Sequence, residues 1–146
     1  MFPKVTRHVA RQLAAVAIAM AVFGGGCAGG APATPELRAG RDVYADRCSA
    51  CHGSRGQGGV GPALDEVLTT WPSCDDHRRW VTIGSERWKT EVGPTYGATG
   101  KPIELVMPAM ADLLSEREIA LVAAFERVEY GGGDAAAVLA DCDVAP

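Results

Sequence analysis

The sequence has 146 residues, 47% of them hydrophobic and 22% charged, with a formal net charge of −4. That length suits one small domain and not two. The acidic balance argues against nucleic acid as a partner, because binding there rests on neutralising phosphates with Lys and Arg.

The chain opens on an export signal. Lys4, Arg7 and Arg11 form a basic region, and Leu13 to Phe23 is an uninterrupted apolar run of 11 residues. Such a run is typical of a signal peptide and too short to span a bilayer comfortably. Residues 1–26 are therefore expected to be a signal peptide. Its removal leaves 11 basic residues against 18 acidic ones, a net charge of −7. The mature chain then suits protein partners with a basic docking face. The small residues Gly24 to Gly26 directly before Cys27 are similar to a bacterial lipoprotein cleavage site, although Gly24 stands where that site usually has Leu. Cleavage there would make Cys27 the first mature residue and attach lipid to it; two acyl chains on one residue suffice for stable membrane anchoring. Ordinary signal cleavage between Ala28 and Ala33 is the alternative, and would remove Cys27 altogether. Residues 27–34, rich in Gly, Ala and Pro, read as a flexible tether to a domain over 35–146.

The first helix is expected from Thr34 as N-cap, with Pro35 at the position where a missing N–H costs nothing. Leu37, Gly40 and Tyr44 fall on one face. A glycine inside a helix costs about 1 kcal/mol relative to alanine, so Gly40 points to the close approach of another helix.

Cys48-Ser49-Ala50-Cys51-His52 follows, a C-x-x-C-H sequence of the kind that attaches haem covalently. Two thiols at this spacing add to the two haem vinyl groups, and the next residue offers an imidazole to the iron. A redox dithiol would need a strand-to-helix setting that this sequence lacks. A zinc site would need a second cysteine pair, whereas Cys74 and Cys142 are single and distant. The stretch from Leu37 to Leu64 resembles a class I cytochrome c: Gly40-x-x-x-Tyr44, then CSACHG, a glycine-rich run, and Gly61-Pro62-Ala63-Leu64. This resemblance implies that the Pro62 carbonyl accepts the Nδ1–H of His52, which would fix the tautomer and leave Nε2 for iron.

The segment Asp65 to Val106 is less familiar. Ser73 reads as the cap of a helix running to about Ile83, with Gly84 as its stop. Trp71, Trp80, Trp88 and Tyr96 concentrate here. The resemblance implies that indole or phenol donors reach the haem propionates, with Trp88 and Tyr96 as candidates.

Three mature residues are candidates for the second axial position: His77, Met107 and Met110. Met107-Pro108-Ala109-Met110 is similar to the segment that carries the axial methionine in class I cytochromes c, and by position Met107 is the implied ligand. Met110, His77 and an open site remain the alternatives. A haem closed on both faces carries single electrons, whereas a peroxidase-like or gas-responsive protein needs a vacant or labile position.

Ser115-Glu116-Arg117-Glu118 is a capping box, and Leu114 with Ile119 fits a hydrophobic staple. Ile119, Val122, Phe125 and Val128 form the apolar face of the helix that begins there, which Gly131 to Gly133 end. A short Ala-rich helix from Asp134 reads as a C-terminal extension over 131–146. In an exported protein the two remaining cysteines, Cys74 and Cys142, are expected to pair and pin that extension to the inserted segment 65–103.

The expectation is an all-α class I cytochrome c fold, three to five helices around one covalent haem c, with the resemblance carried by residues 35–64 and 104–130. The function it implies is that of a single-electron carrier, not an enzyme, in a respiratory or dehydrogenase chain. Oxidase, bc-type complex or dehydrogenase would be its partner, in the periplasm or on the outer face of the cytoplasmic membrane. The haem subunit of a larger oxidase or dehydrogenase complex is the alternative.

Overall fold

A computed structural model describes residues 34–145. The expected signal peptide, Cys27 and all of the tether except Thr34 lie outside them.

Helix α1, Pro35–Arg47, starts as its sequence requires: the Thr34 hydroxyl accepts the Leu37 N–H at 3.2 Å, and Pro35 occupies the first turn. A single turn, α2 (Ser49–His52), follows directly on Cys48. After a glycine-rich loop come another single turn, α3 (Val67–Thr70), and the long element α4 (Cys74–Glu91). Ser73 caps α4, its hydroxyl accepting the Asp76 N–H at 3.2 Å. Gly84 stops the first part of α4 with φ 67° and ψ 177°, and the chain resumes a helix at once. A tight hairpin pairs β1 (Thr95–Tyr96) with β2 (Lys101–Pro102), antiparallel, with Thr95 opposite Pro102. Helix α5, Glu116–Glu129, begins at a complete Ser115–Glu118 capping box, and α6, Ala135–Asp141, is capped by Asp134. The fold is thus essentially all-α, with one minimal hairpin. The helical elements exceed the expected five only because α2 and α3 are single turns. No described helix is long and apolar enough to cross a membrane.

Helix α5 is the axis of the molecule. Every residue from Ile119 to Arg127 is buried, well beyond the single face of Ile119, Val122 and Phe125. The other faces are covered by parts remote in the chain. On one side the tail packs Val138, Leu139, Cys142 and Val144 against Leu37, Ala120 and Ala124. Cys74 and Cys142 are joined by a disulfide across 68 residues, with Cα atoms 5.2 Å apart. The Arg127 guanidinium donates to the carbonyls of Trp71 (2.6 Å) and Pro72 (3.2 Å) and to Asp141 Oδ2 (3.1 Å). That same Asp141 oxygen accepts the Cys74 N–H at 2.9 Å. Burial lowers the Arg127 pKa, with Asp141 acting in the opposite direction. These bonds satisfy most of a charged side chain that would otherwise be costly to bury.

On the remaining side α1 crosses α5 at Gly40. A Cβ there would run into the Leu121 carbonyl oxygen and approach Phe125 Cβ to 2.8 Å. Tyr44 stacks one turn along, 5.7 Å from Phe125 and 5.0 Å from Tyr130 between ring centroids, and its hydroxyl donates to the Gly53 carbonyl at 2.6 Å. Gly40→Val is therefore expected to wedge the two helices apart. The cost should be about 3 kcal/mol, the upper range for overpacking against backbone that cannot yield. Thermal denaturation of the haem-loaded protein measures it, and an unchanged melting temperature would contradict the close crossing.

Candidate functional site

The end of α1 leads straight into the site. Cys48 caps α1 and opens α2, accepting the N–H groups of Cys51 (3.1 Å) and His52 (3.0 Å) on its carbonyl. This one turn carries both cysteines and the histidine. The glycine-rich loop then folds back over it: the Gly58 N–H donates to the His52 carbonyl at 2.8 Å and the Gly61 N–H to the Cys51 carbonyl at 2.9 Å. The fold-back brings the Pro62 carbonyl oxygen to 2.9 Å from His52 Nδ1. A carbonyl can only accept, so in the neutral ring the proton sits on Nδ1 and the lone pair is on Nε2. Gly61 lies flat against the imidazole, where a Cβ would come within 2.8 Å of Cε1 and 3.0 Å of Nδ1. Ring orientation and tautomer are both set before any ligand binds.

These residues form one wall of a cavity of about 450 Å³. Cys48, Cys51, His52, Gly61 and Pro62 line it on one side; Val67, Trp71, Trp80 and Tyr96 contribute aromatic and aliphatic surface; Leu105 to Pro108 and Met110 complete it. Arg47 and Lys101 also line it, and Val60, Leu105 and Val106 stand exposed while lining it. Glu126 reaches the cavity from α5 and is paired with His77, Nε2 to Oε2 3.2 Å, both side chains being buried. Burial pushes the Cys48 thiol well above its ordinary pKa, and the charges of Glu126 and Cys51 push it further.

The structure brings together Cys48, Cys51, His52, Pro62, Tyr96 and Met107. It does not bring Trp88. The Trp88 ring packs edge-on against Trp71 and Trp80, and its indole N–H donates to the Thr95 carbonyl at 3.0 Å. That donor is spent on the hairpin, so Trp88 is corrected from a propionate contact to a support behind the wall. Trp71 and Trp80 take its place at the cavity. His77 lies outside the lining, bound to Glu126 and stacked on Trp71 with rings 6° from parallel. Met110 lines the cavity as Met107 does, three residues on in the same segment. Among the described residues no group of three or more His, Cys, Asp or Glu side chains is placed to hold a metal ion directly.

A two-cysteine turn with a tautomer-locked imidazole, opening on a largely apolar cavity of haem-like size, fits a covalent haem and little else. Comparison with known proteins agrees. Residues 35–125 match the family model described as cytochrome C oxidase, cbb3-type, subunit III. The chain belongs to this cytochrome c family. Its cofactor is accordingly one covalently attached haem c. The match runs through the whole of 65–103 and ends before the tail. No curated protein matches the sequence. Solved structures that resemble this cytochrome include cytochrome cL from the marine methylotroph Methylophaga aminisulfidivorans, with 21% identity, 65% of this chain and 53% of that one covered, and a TM-score of 0.44. Cytochrome cL from Hyphomicrobium denitrificans shows 21% identity over 63% of this chain and 46% of that one, TM-score 0.43. The c-type cytochrome XoxG from Methylobacterium extorquens shows 21% identity over 73% and 67%, TM-score 0.47. The chain spans about half the length of the two cytochromes cL.

Proposed function

We propose that this cytochrome is an exported single-electron carrier, with haem attached through Cys48 and Cys51 and its iron held between His52 and Met107. The observation that carries the reading is the convergence on one cavity of the Pro62-locked His52 and the Met107 segment. Bound there, the haem supplies a one-electron iron couple. The protein's part is to hold it. Pro62 and Gly61 keep Nε2 of His52 free and aimed, and Met107 offers a thioether, which favours a high potential and leaves no coordination site for a substrate. Trp71, Trp80, Val67 and Val81 exclude water. Tyr96, Arg47 and Lys101 are the donors available to carboxylates at the cavity edge. Electrons would pass across the open mouth, where Val60, Leu105 and Val106 are exposed.

The acidic surface suits protein partners with a basic face, such as an oxidase, a bc-type complex or a dehydrogenase. Export rests on the N-terminal signal, and anchoring on lipid at Cys27. The family description favours a second reading, a haem subunit of a larger oxidase, which co-purification from membranes would distinguish from a free carrier. The carrier reading is tested by optical spectra of the ferric and ferrous protein with carbon monoxide. Low-spin spectra in both states, a weak red charge-transfer band in the ferric form and only weak carbon monoxide binding by the ferrous form are expected. A high-spin ferric spectrum with ready carbon monoxide binding would replace the carrier with a ligand-binding haem protein.

A further inference from the structure

Helix α4 is broken at Gly84, and the break is used. In an unbroken helix the Ser85 N–H would donate to the Val81 carbonyl, and the Thr82 carbonyl would accept from Glu86. At φ 67° and ψ 177° Gly84 adopts a conformation open essentially to glycine alone, and those backbone groups are released. The segment after Met107 takes them up. The Ser85 N–H donates to the Met107 carbonyl at 2.9 Å, the Met110 N–H to the Val81 carbonyl at 3.1 Å, and the Ala111 N–H to the Thr82 carbonyl at 3.3 Å. The Ser85 hydroxyl, in a residue with no exposed surface, accepts the Met107 N–H at 3.0 Å. Both backbone groups of Met107 are therefore bonded to one residue. Gly84 makes the approach possible: a Cβ on it would lie 2.5 Å from the Ala109 nitrogen and 2.6 Å from the Met107 oxygen.

We infer that Ser85 is a positioning residue for the axial methionine, and that the Gly84 break is the seat that holds the Met107 loop over the cavity. The inference rests on the reading of Met107 as a ligand. Its physical content is a linkage. Carbon monoxide reaches ferrous haem only when Met107 leaves, so its apparent affinity is set by how firmly the loop is held. Removing the hydroxyl leaves a partly buried N–H without its protein partner, and releasing the loop relieves that penalty.

The experiment compares haem-loaded wild type with Ser85→Ala, Gly84→Ala and Thr90→Ala, reading carbon monoxide affinity of the ferrous form and the thermal loss of the ferric charge-transfer band. The Thr90 hydroxyl donates to the Arg87 carbonyl within the same helix at 2.8 Å, away from the seat, and serves as the control for general loosening of α4. Carbon monoxide affinity should rise about tenfold in Ser85→Ala, the scale of one unpaired, partly buried donor, and more in Gly84→Ala. In both, the band should disappear well below the unfolding temperature, while Thr90→Ala should behave as wild type in both readouts. If Ser85→Ala and Gly84→Ala match wild type although Met107→Ala abolishes the band, the clamp is overturned and the ligand assignment stands. If the band survives Met107→Ala, both are overturned.

Discussion

Met107→Ala should lose the red charge-transfer band of the ferric protein, turn it high-spin at neutral pH and let the ferrous form bind carbon monoxide. The reduction potential should fall by tenths of a volt, since axial ligation alone spans about 0.8 V among haem proteins. The expectation rests on what else could close that face of the haem. His77 cannot: it lies outside the cavity lining, with Nε2 3.2 Å from Glu126 and its ring stacked on Trp71. Met110 lines the same cavity, but it is buried in the tryptophan cluster and its N–H is tied to the Val81 carbonyl at 3.1 Å. Moving its thioether into the place of Met107 would strip that packing and the seat at Gly84 together. Met110→Ala should accordingly keep the band and lose stability, by about 2–5 kcal/mol for a buried methionine cut to alanine. Optical and low-temperature paramagnetic resonance spectra of the two variants decide the matter. The opposite pattern, a band lost in Met110→Ala and kept in Met107→Ala, would move the ligand by three residues.

How much of this was legible beforehand follows the range of the interactions concerned. The CSACH turn, the Thr34 and Ser73 caps and the Ser115–Glu118 box are made by residues within four positions of each other, and sequence displays them directly. The Gly40 crossing was legible as a need for the close approach of another helix. Gly84 reads as a stop, and it is one. What no local pattern reveals is that the helix resumes at Ser85 and that the released backbone groups receive the Met107 loop, because that pairing joins residues 22 apart. The tryptophans failed in a similar way. Their spacing marks a buried cluster, but whether an indole faces the cavity or the hairpin depends on the turn at Thr95, which captures the Trp88 N–H. Arg127 and Glu126 look like the polar flank of an amphipathic helix. They are buried by parts far away in sequence: the tail and the 71–73 turn bond Arg127, and His77 of α4 pairs with Glu126.

Reduction of the Cys74–Cys142 disulfide in the haem-loaded protein should lower stability by about 4 kcal/mol while leaving the haem spectrum unchanged at 25 °C. The two thioether links to haem resist thiol reductants, so this bond alone is cut. Its loop spans 68 residues and encloses α4, the hairpin, the Met107 segment and α5. In the chain-entropy description, freeing a loop of that length returns about 4 kcal/mol of disorder to the unfolded chain. For a domain of this size that corresponds to a melting temperature lower by roughly 10–20 °C. The native state should barely move. The tail keeps Val138, Leu139 and Val144 buried against α5, and Asp141 still bridges Arg127 at 3.1 Å and the Cys74 N–H at 2.9 Å. None of these residues lines the cavity. Calorimetry with and without reductant, followed at the charge-transfer band, separates the two effects. Equal melting temperatures would mean that the unfolded chain stays compact enough for the link to constrain nothing. A band lost on reduction at 25 °C would mean that the tail holds the haem cavity shut, through α5 and the Arg127 bonds to the 71–73 turn beneath Trp71.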